Sequence, residues 1–254
     1  MARQQEVLSS VYNAIRILKT FSSTETELGI SELSVRLGLA KSTVYRLMKT
    51  LTETRLVRQN EDTQKYQLGI GAFELGFTAY HSMQLHRISI PYLEKLMESV
   101  RKVVRLGVYD NGGIVYLSKH TPDSDQATIS KIGDRTPSYC SAVGKLLLAY
   151  QDDSEIDNVI GEGLYPYTAK TITNEEHFKQ QIDEIRRVGY AVTMEELRIG
   201  ICSVAIPVYN DMGKVMAAIS VTGQKAHFYP NQIQQYVKEM KMYSRLITER
   251  LNMD

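Results

Sequence analysis

Between residues 30 and 54 apolar side chains recur every three or four positions, first over a short stretch and then over a longer one. Ile30, Leu33 and Leu37 make one apolar face, Val44, Leu47 and Leu51 another, with Gly38 between them. This spacing gathers side chains on one side of a helix. It predicts a helix over 31–37, a turn at Gly38 and a second helix over 42–54, opened by Lys41 or Ser42. Ser31 is a candidate cap, because a hydroxyl can satisfy an orphan N–H at a helix start. The polar side of the second helix carries Lys41, Ser42, Thr43, Tyr45, Arg46 and Lys49. An apolar back with a basic, hydroxyl-bearing front suits a helix that lies in a DNA major groove. Double-stranded DNA is therefore the leading candidate partner, with these six residues as candidate contacts.

The pattern continues on both sides. Residues 7–21 read as a helix with Val7, Leu8, Val11, Ile15 and Leu18 on one stripe. Residues 56–59 and 65–68 read as two short strands around the polar turn Asn60-Glu61-Asp62-Thr63. Three helices followed by a two-stranded wing form a winged helix-turn-helix arrangement over 1–69. The acidic Glu61 and Asp62 argue for a light wing contact with DNA. A linker helix follows over 70–88, apolar on more than one side through Phe73, Leu75, Phe77, Tyr80, Met83 and Leu85. Packing on a partner subunit and packing on its own domain fit that surface equally well. Gly69, Gly71 and Gly76 follow a wing strand with no βαβ unit around them. Their spacing is not the dinucleotide fingerprint.

From 89 onward helices and strands mix. A helix is expected over 91–100, strands over 103–109 and 114–119 around an Asp-Asn-Gly-Gly hairpin turn, and a strand over 127–132. Helices are expected over 141–150 and from a Thr173–Glu176 capping box to 187. Strands over 189–193, 203–209 and 214–222 precede a long helix over 230–251. The fold class is α+β, with an α/β sheet domain over 89–254.

Composition sets outer limits. The chain has 254 residues, 43% hydrophobic and 23% charged, with a net charge of +1, which fits a soluble globular protein. Its charge is uneven: residues 41–58 hold five cations against one acid, although many such runs are only solvated helix faces. No apolar run has the length of a membrane helix, and no signal region opens the chain, so no membrane partner and a cytoplasmic location are expected. Two cysteines, Cys140 and Cys202, imply no disulfide framework. The five histidines are scattered without metal-ligand spacing. No cofactor, metal site or catalytic residue is expected, and no serine-histidine-aspartate order or paired carboxylate supports an enzyme.

Three places in the second domain could converge on a small ligand. The helix from Ser141 offers free N–H groups suited to a carboxylate. Ser203 starts one strand, and Ser220 and Thr222 share a face of another. The competing reading is that these small residues serve sheet packing, their hydroxyls satisfied by backbone. Lys145 reads as a helix-surface or structural charge, and Glu195 and Glu196 as loop or rim residues.

Several segments resemble the IclR family of bacterial transcription regulators. They are Ala14-Ile-Arg-Ile-Leu18, Lys41-Ser-Thr-Val-Tyr-Arg-Leu47, Tyr66-Gln-Leu-Gly69, Ser141-Ala-Val-Gly-Lys-Leu-Leu-Leu-Ala149, Ile185-Arg-Arg-Val-Gly-Tyr-Ala191, Glu195-Glu196, Gly200 and Ser203-Val-Ala-Ile-Pro207. Thr193 and Tyr139 depart from residues common in the family. The resemblance implies a winged helix-turn-helix domain, a linker helix and a GAF-like effector-binding domain. It further implies a homodimer or homotetramer on palindromic operator DNA, a repressor of a small-molecule catabolic operon, and a small organic-acid or aromatic effector. It places Ser141, Ala142, Val143, Ser203, Ser220 and Thr222 in the effector site. A redox- or metal-sensing DNA-binding regulator is the alternative, and an enzyme with an N-terminal dimerisation module a weaker one.

Overall fold

The computed structural model describes residues 8–22, 24–122, 132–133 and 135–253. It divides into two compact units, 1–82 and 83–254.

In the first unit, helix α1 (Ser9–Leu18) precedes α2 (Ile30–Leu37) and α3 (Lys41–Glu53). Strands β1 (Val57–Gln59) and β2 (Tyr66–Leu68) pair antiparallel as the wing. Ile17, Leu33, Val44, Met48 and Leu51 bury one core beneath the wing residues Val57 and Tyr66. Helix α2 is capped at Gly29, not at Ser31: the Glu32 carboxylate accepts the Gly29 N–H at 2.6 Å. Gly38 ends α2 in the left-handed region at φ 65°, where a residue without Cβ is unstrained. In α1 most of the expected stripe faces outward, although Leu18 packs against the core. Ile17 is the buried residue, whereas Leu8, Val11, Tyr12 and Ile15 are exposed. Val7 lies outside the described residues.

Helix α4 (Ile70–Ser82) closes this unit. Gly69 precedes it at a close approach, where a Cβ would stand 2.3 Å from the Arg55 carbonyl oxygen. That glycine serves packing, as its spacing outside the nucleotide fingerprint suggested. The expected linker helix over 70–88 is two elements. The chain breaks at Met83, which is extended, and α5 runs Gln84–Val100 with Pro91 inside it. Burial of Leu85, Ile88 and Ser89 on the same face as Leu93 and Leu96 carries the helix across the proline, which from sequence looked like a helix start.

The second unit is built on an antiparallel sheet ordered β5-β4-β3-β8-β7-β6. Its strands are β3 (Val103–Asp110), β4 (Gly113–His120), β5 (Arg135–Pro137), β6 (Ala191–Met194), β7 (Ile201–Tyr209) and β8 (Val215–Gln224). Of the strand expected at 127–132, only Ile132 is among the described residues, and it sits in a turn. Helices α6 (Ala142–Ala149), α7 (Asp153–Glu162) and α8 (Glu175–Val188) follow β5, and α9 (Pro230–Leu251) ends the chain. The cap of α8 is Asn174, whose Oδ1 accepts the His177 N–H at 2.9 Å; the expected box one residue earlier is not formed.

Strand alternation gives the sheet two different faces. Val104, Leu106, Val204, Ile206, Ile219 and Val221 face α5 and α9. Ile114, Tyr116, Ala191, Ala205 and Ala218 face α6, with α7 and α8 outside it. Among the described residues, no helix is long and apolar enough to cross a membrane.

Candidate functional site

Two places carry candidate chemistry, one in each unit. On α3 the core-facing residues Val44, Met48 and Leu51 are buried, whereas Lys41, Ser42, Thr43, Tyr45, Arg46 and Lys49 are all exposed. The cations of α3 differ from three of their neighbours. Arg36 is paired with Glu25, Lys65 with Glu32 at 3.0 Å, and Arg55 with Glu74. Lys41, Arg46 and Lys49 form no ion pair among the described residues. The wing tip is tied down instead: Asn60 Nδ2 and Thr63 Oγ1 both donate to the Glu27 carboxylate.

In the second unit, Ser203, Ser220 and Thr222 share the sheet face that meets α6. Register puts Thr193, Ser203 and Thr222 in one row across β6, β7 and β8. Ala191, Ala205, Ser220 and Arg105 form the next row across β6, β7, β8 and β3. Pro207, Ala218, Gly107 and Tyr116 form a third. The Ser203 and Thr222 hydroxyls lie 2.9 Å apart, and Ser203 also donates to the Val221 carbonyl. The Ser220 hydroxyl is buried without a partner. Packing alone leaves a hydroxyl like this unsatisfied, at a cost.

Helix α6 meets the third row. Val143 lies against Gly107, where a Cβ would stand 2.9 Å from its Cγ1. Ser141 caps α6, its Oγ accepting the Gly144 N–H at 3.1 Å. The Tyr116 hydroxyl lies beside both Ser141 and Arg105, and burial pushes its pKa up, so it stays a donor. The structure thus groups Ser203, Ser220 and Thr222 on one face with Ala142, Val143 and Ser141 at the start of α6.

Sequence reasoning missed one residue here and left three others only partly placed. Arg105 sits 7% exposed in the middle of β3. A lone cation inside the apolar run Val103-Val104-Arg105-Leu106 was the legible signal. Of the two readings of Lys145, the structural charge holds and the surface one does not: it is fully buried, its Nζ donating to Glu196 Oε2 at 2.5 Å and to Gln181 Oε1. Burial pulls the Lys145 pKa down while Glu196 opposes it. Glu195 is buried too, at φ 63°, accepting from the Gly200 N–H and pairing with Lys225 at 2.5 Å. These acids staple the loop after β6; they do not stand on a rim.

The cysteines lie on opposite faces of the sheet, Cys140 with the α6 side and Cys202 with the α9 side. Burial, then the nearby Glu196 charge, pushes the Cys140 thiol up to about 12. Neither pairing nor thiolate chemistry follows from that placement. Among the described residues, no group of three or more histidines, cysteines or acids is placed to hold a metal.

Comparison with known proteins agrees with this anatomy. A family model for the IclR helix-turn-helix domain matches residues 10–61, and one for the bacterial transcriptional regulator IclR C-terminal region matches 77–249. The chain is 32% identical over 250 residues to the HTH-type transcriptional regulator KdgR of Escherichia coli K12, covering 98% of this chain and 95% of that one. An IclR transcriptional regulator structure from Silicibacter sp. TM1040 superposes with a TM-score of 0.87 at 25% identity, covering 96% of each chain. The fold is also that of an IclR homologue from Microbacterium hydrocarbonoxydans complexed with 4-hydroxybenzoate, at a TM-score of 0.82 and 20% identity, over 96% of this chain and 99% of that one. A helix-turn-helix with an open basic helix, joined in one chain to a sheet domain of this topology, belongs to the IclR family of DNA-binding transcriptional regulators.

Proposed function

We infer that this protein binds operator DNA through α3 and represses a small-molecule catabolic operon until an effector occupies the second unit. The observation that carries the DNA contact is the set of unpaired cations on α3. Arg36, Arg55 and Lys65 of this unit have found carboxylates, whereas Lys41, Arg46 and Lys49, gathered on one exposed helix face, are left with water or a polyanion as partner. Arg46 and Lys49 meet phosphates or guanine edges, and Ser42, Thr43 and Tyr45 add hydroxyls at the same surface. The wing, its acids uppermost and its polar tip held by Glu27, contributes a light contact.

The chain acts as a homodimer or homotetramer. Leu8, Val11, Tyr12 and Ile15 form an exposed apolar stripe at helical spacing on α1. On α4, Ile70, Phe73 and Phe77 do the same, with the two phenylalanine rings 5.5 Å apart. Stripes like these are covered in a stable soluble protein, and a second copy supplies the matching surface. Operator half-sites lie roughly 34–36 Å apart. An effector that shifts the spacing of paired α3 helices by a few ångströms therefore changes DNA affinity. The effector is a small organic acid or aromatic compound held near Ser141, Ala142, Val143, Ser203, Ser220 and Thr222. The Microbacterium homologue, which holds an aromatic acid, supports that class.

The test begins with selection of bound sequences from a random duplex library. Arg46→Ala is expected to weaken binding to the selected site at unchanged circular dichroism, and to flatten the salt dependence by about one counterion if Arg46 meets a phosphate. Unchanged affinity in the folded variant sinks the assignment. A reporter fused to the selected site then reads the sign of regulation.

A further inference from the structure

We propose that Arg105 selects the effector's carboxylate; this rests on the effector site inferred above and adds to it the charge the ligand must carry. Side chains on either side of Arg105, Val104 and Leu106, face the α9 core. Arg105 itself points to the α6 side, in the same row as Ser220 on the neighbouring strand. It is 7% exposed and its Nε has no hydrogen-bond partner. Among the described residues no carboxylate pairs with it; its neighbour is the Tyr116 ring, 5.2 Å from the guanidinium carbon.

A guanidinium does not escape burial by losing its proton, because its pKa lies far above physiological pH. Buried and unpaired, it is a standing cost that an incoming anion relieves. The contrast with Lys145 is direct. That buried ammonium has Glu196 and Gln181 on it, so this domain does pair its fully buried lysine.

The groups around Arg105 share one character. The unpartnered Ser220 hydroxyl and the neutral Tyr116 hydroxyl are donors, as is the guanidinium fork. A planar carboxylate accepts bidentate bonds from such a fork and has lone pairs left for the hydroxyls. One cation meets one negative charge. A phosphate dianion leaves charge unmatched, and a neutral polyol leaves the guanidinium unneutralised.

The experiment uses the full chain and matched probes: pyruvate against pyruvamide, 4-hydroxybenzoate against 4-hydroxybenzamide, and inorganic phosphate. Thermal shift and calorimetric titration are run on the wild type, Arg105→Met, Arg105→Lys and Ser220→Ala. At least one acid is expected to bind the wild type, its amide and phosphate at least about tenfold more weakly. Arg105→Met should weaken the acid by about tenfold to a hundredfold. Arg105→Lys should recover part of the loss, since it keeps the charge without the fork. Without ligand, Arg105→Met should melt no lower than the wild type, because it removes an unpaired buried charge; a purely structural arginine would lower it.

The proposal is overturned if Arg105→Met binds the acid as tightly as the wild type, or if no acid is preferred to its amide. If Ser220→Ala loses the acid and Arg105→Met keeps it, the effector site stands and the role of Arg105 fails. If an acid binds through Arg105 but leaves affinity for the selected DNA unchanged, Arg105 stands and the effector-responsive reading fails.

Discussion

Removing the Glu196 carboxylate tests whether Lys145 is held as a buried ion. In Glu196→Ala the ammonium keeps only the Gln181 oxygen, at a position with no solvent exposure. A buried lysine without its counter-charge can stay charged and lose solvation, or give up its proton. The second route caps the cost. Its ordinary pKa is 10.5, and each unit of displacement is worth 1.36 kcal/mol, so neutralising it at pH 7 costs about 5 kcal/mol. Breaking buried pairs elsewhere costs about 3–5 kcal/mol, which agrees with this ceiling. At pH 9 the ceiling drops to about 2 kcal/mol. The sign follows from proton counting: in the variant the unfolded chain holds the lysine proton and the folded chain does not, so stability rises with pH. Urea unfolding followed by tyrosine circular dichroism at pH 7 and pH 9 reads both numbers, since the chain has 16 tyrosines and no tryptophan. The double change Lys145→Met with Glu196→Leu should regain most of the loss, because an apolar pair of similar volume needs no solvation. A loss below about 1 kcal/mol at pH 7, or an equal loss at both pH values, refutes the reasoning.

Other substitutions probe the same anatomy. Gly144→Ala places a Cβ 2.2 Å from the Ser138 carbonyl oxygen; that atom is backbone, so a loss of at least about 2 kcal/mol in the melting experiment is expected, toward the upper end of overpacking costs. In native protein at pH 8, Cys140 should resist N-ethylmaleimide and react only after unfolding. Its folded thiol keeps a proton that the unfolded thiol loses above the ordinary value of 9.0, so its contribution to stability falls as pH rises from there toward about 12. Labelling at the folded rate of a free thiol would restore a redox reading. Val11→Asp on the exposed stripe of α1 should shift sedimentation toward the monomer without loss of helix content, and an unchanged sedimentation coefficient would place the subunit contact elsewhere.

Much of the first unit was legible because its signals are local. Helical spacing around Val44 and Leu51, Gly38 at the turn and the polar wing turn each act within a few residues. Burial of the α1 face was misread because Leu8, Val11 and Ile15 obey the right period but face away from the core; period alone does not say which neighbour is present. Helix α5 was read short because Pro91 is a local stop signal overruled by long-range burial of Leu85 and Ile88. Helix α7 went unread, its sequence acidic and only weakly periodic. In the second unit, Ser203, Ser220 and Thr222 could be placed on strands, but their meeting depends on the order of strands that are not neighbours in sequence. Arg105 joins them only because β3 pairs with β8, some 115 residues later. Lys145 and Glu196 are likewise far apart in the chain, and neither residue alone announces an ion pair.

The two faces of the sheet have a consequence for inheritance. On β7 the even-numbered residues from Cys202 to Val208 build one core, and Ser203 and Ala205 face the other way. On β8 the parity is reversed, with Ala217, Ile219 and Val221 in that core. Changes at one parity alter what the α6 side can hold, while the core against α5 and α9 keeps its volume and its share of the folding free energy. A descendant of this chain can therefore exchange one chemical signal for another through a handful of alternate positions. Its scaffold need not be rebuilt each time.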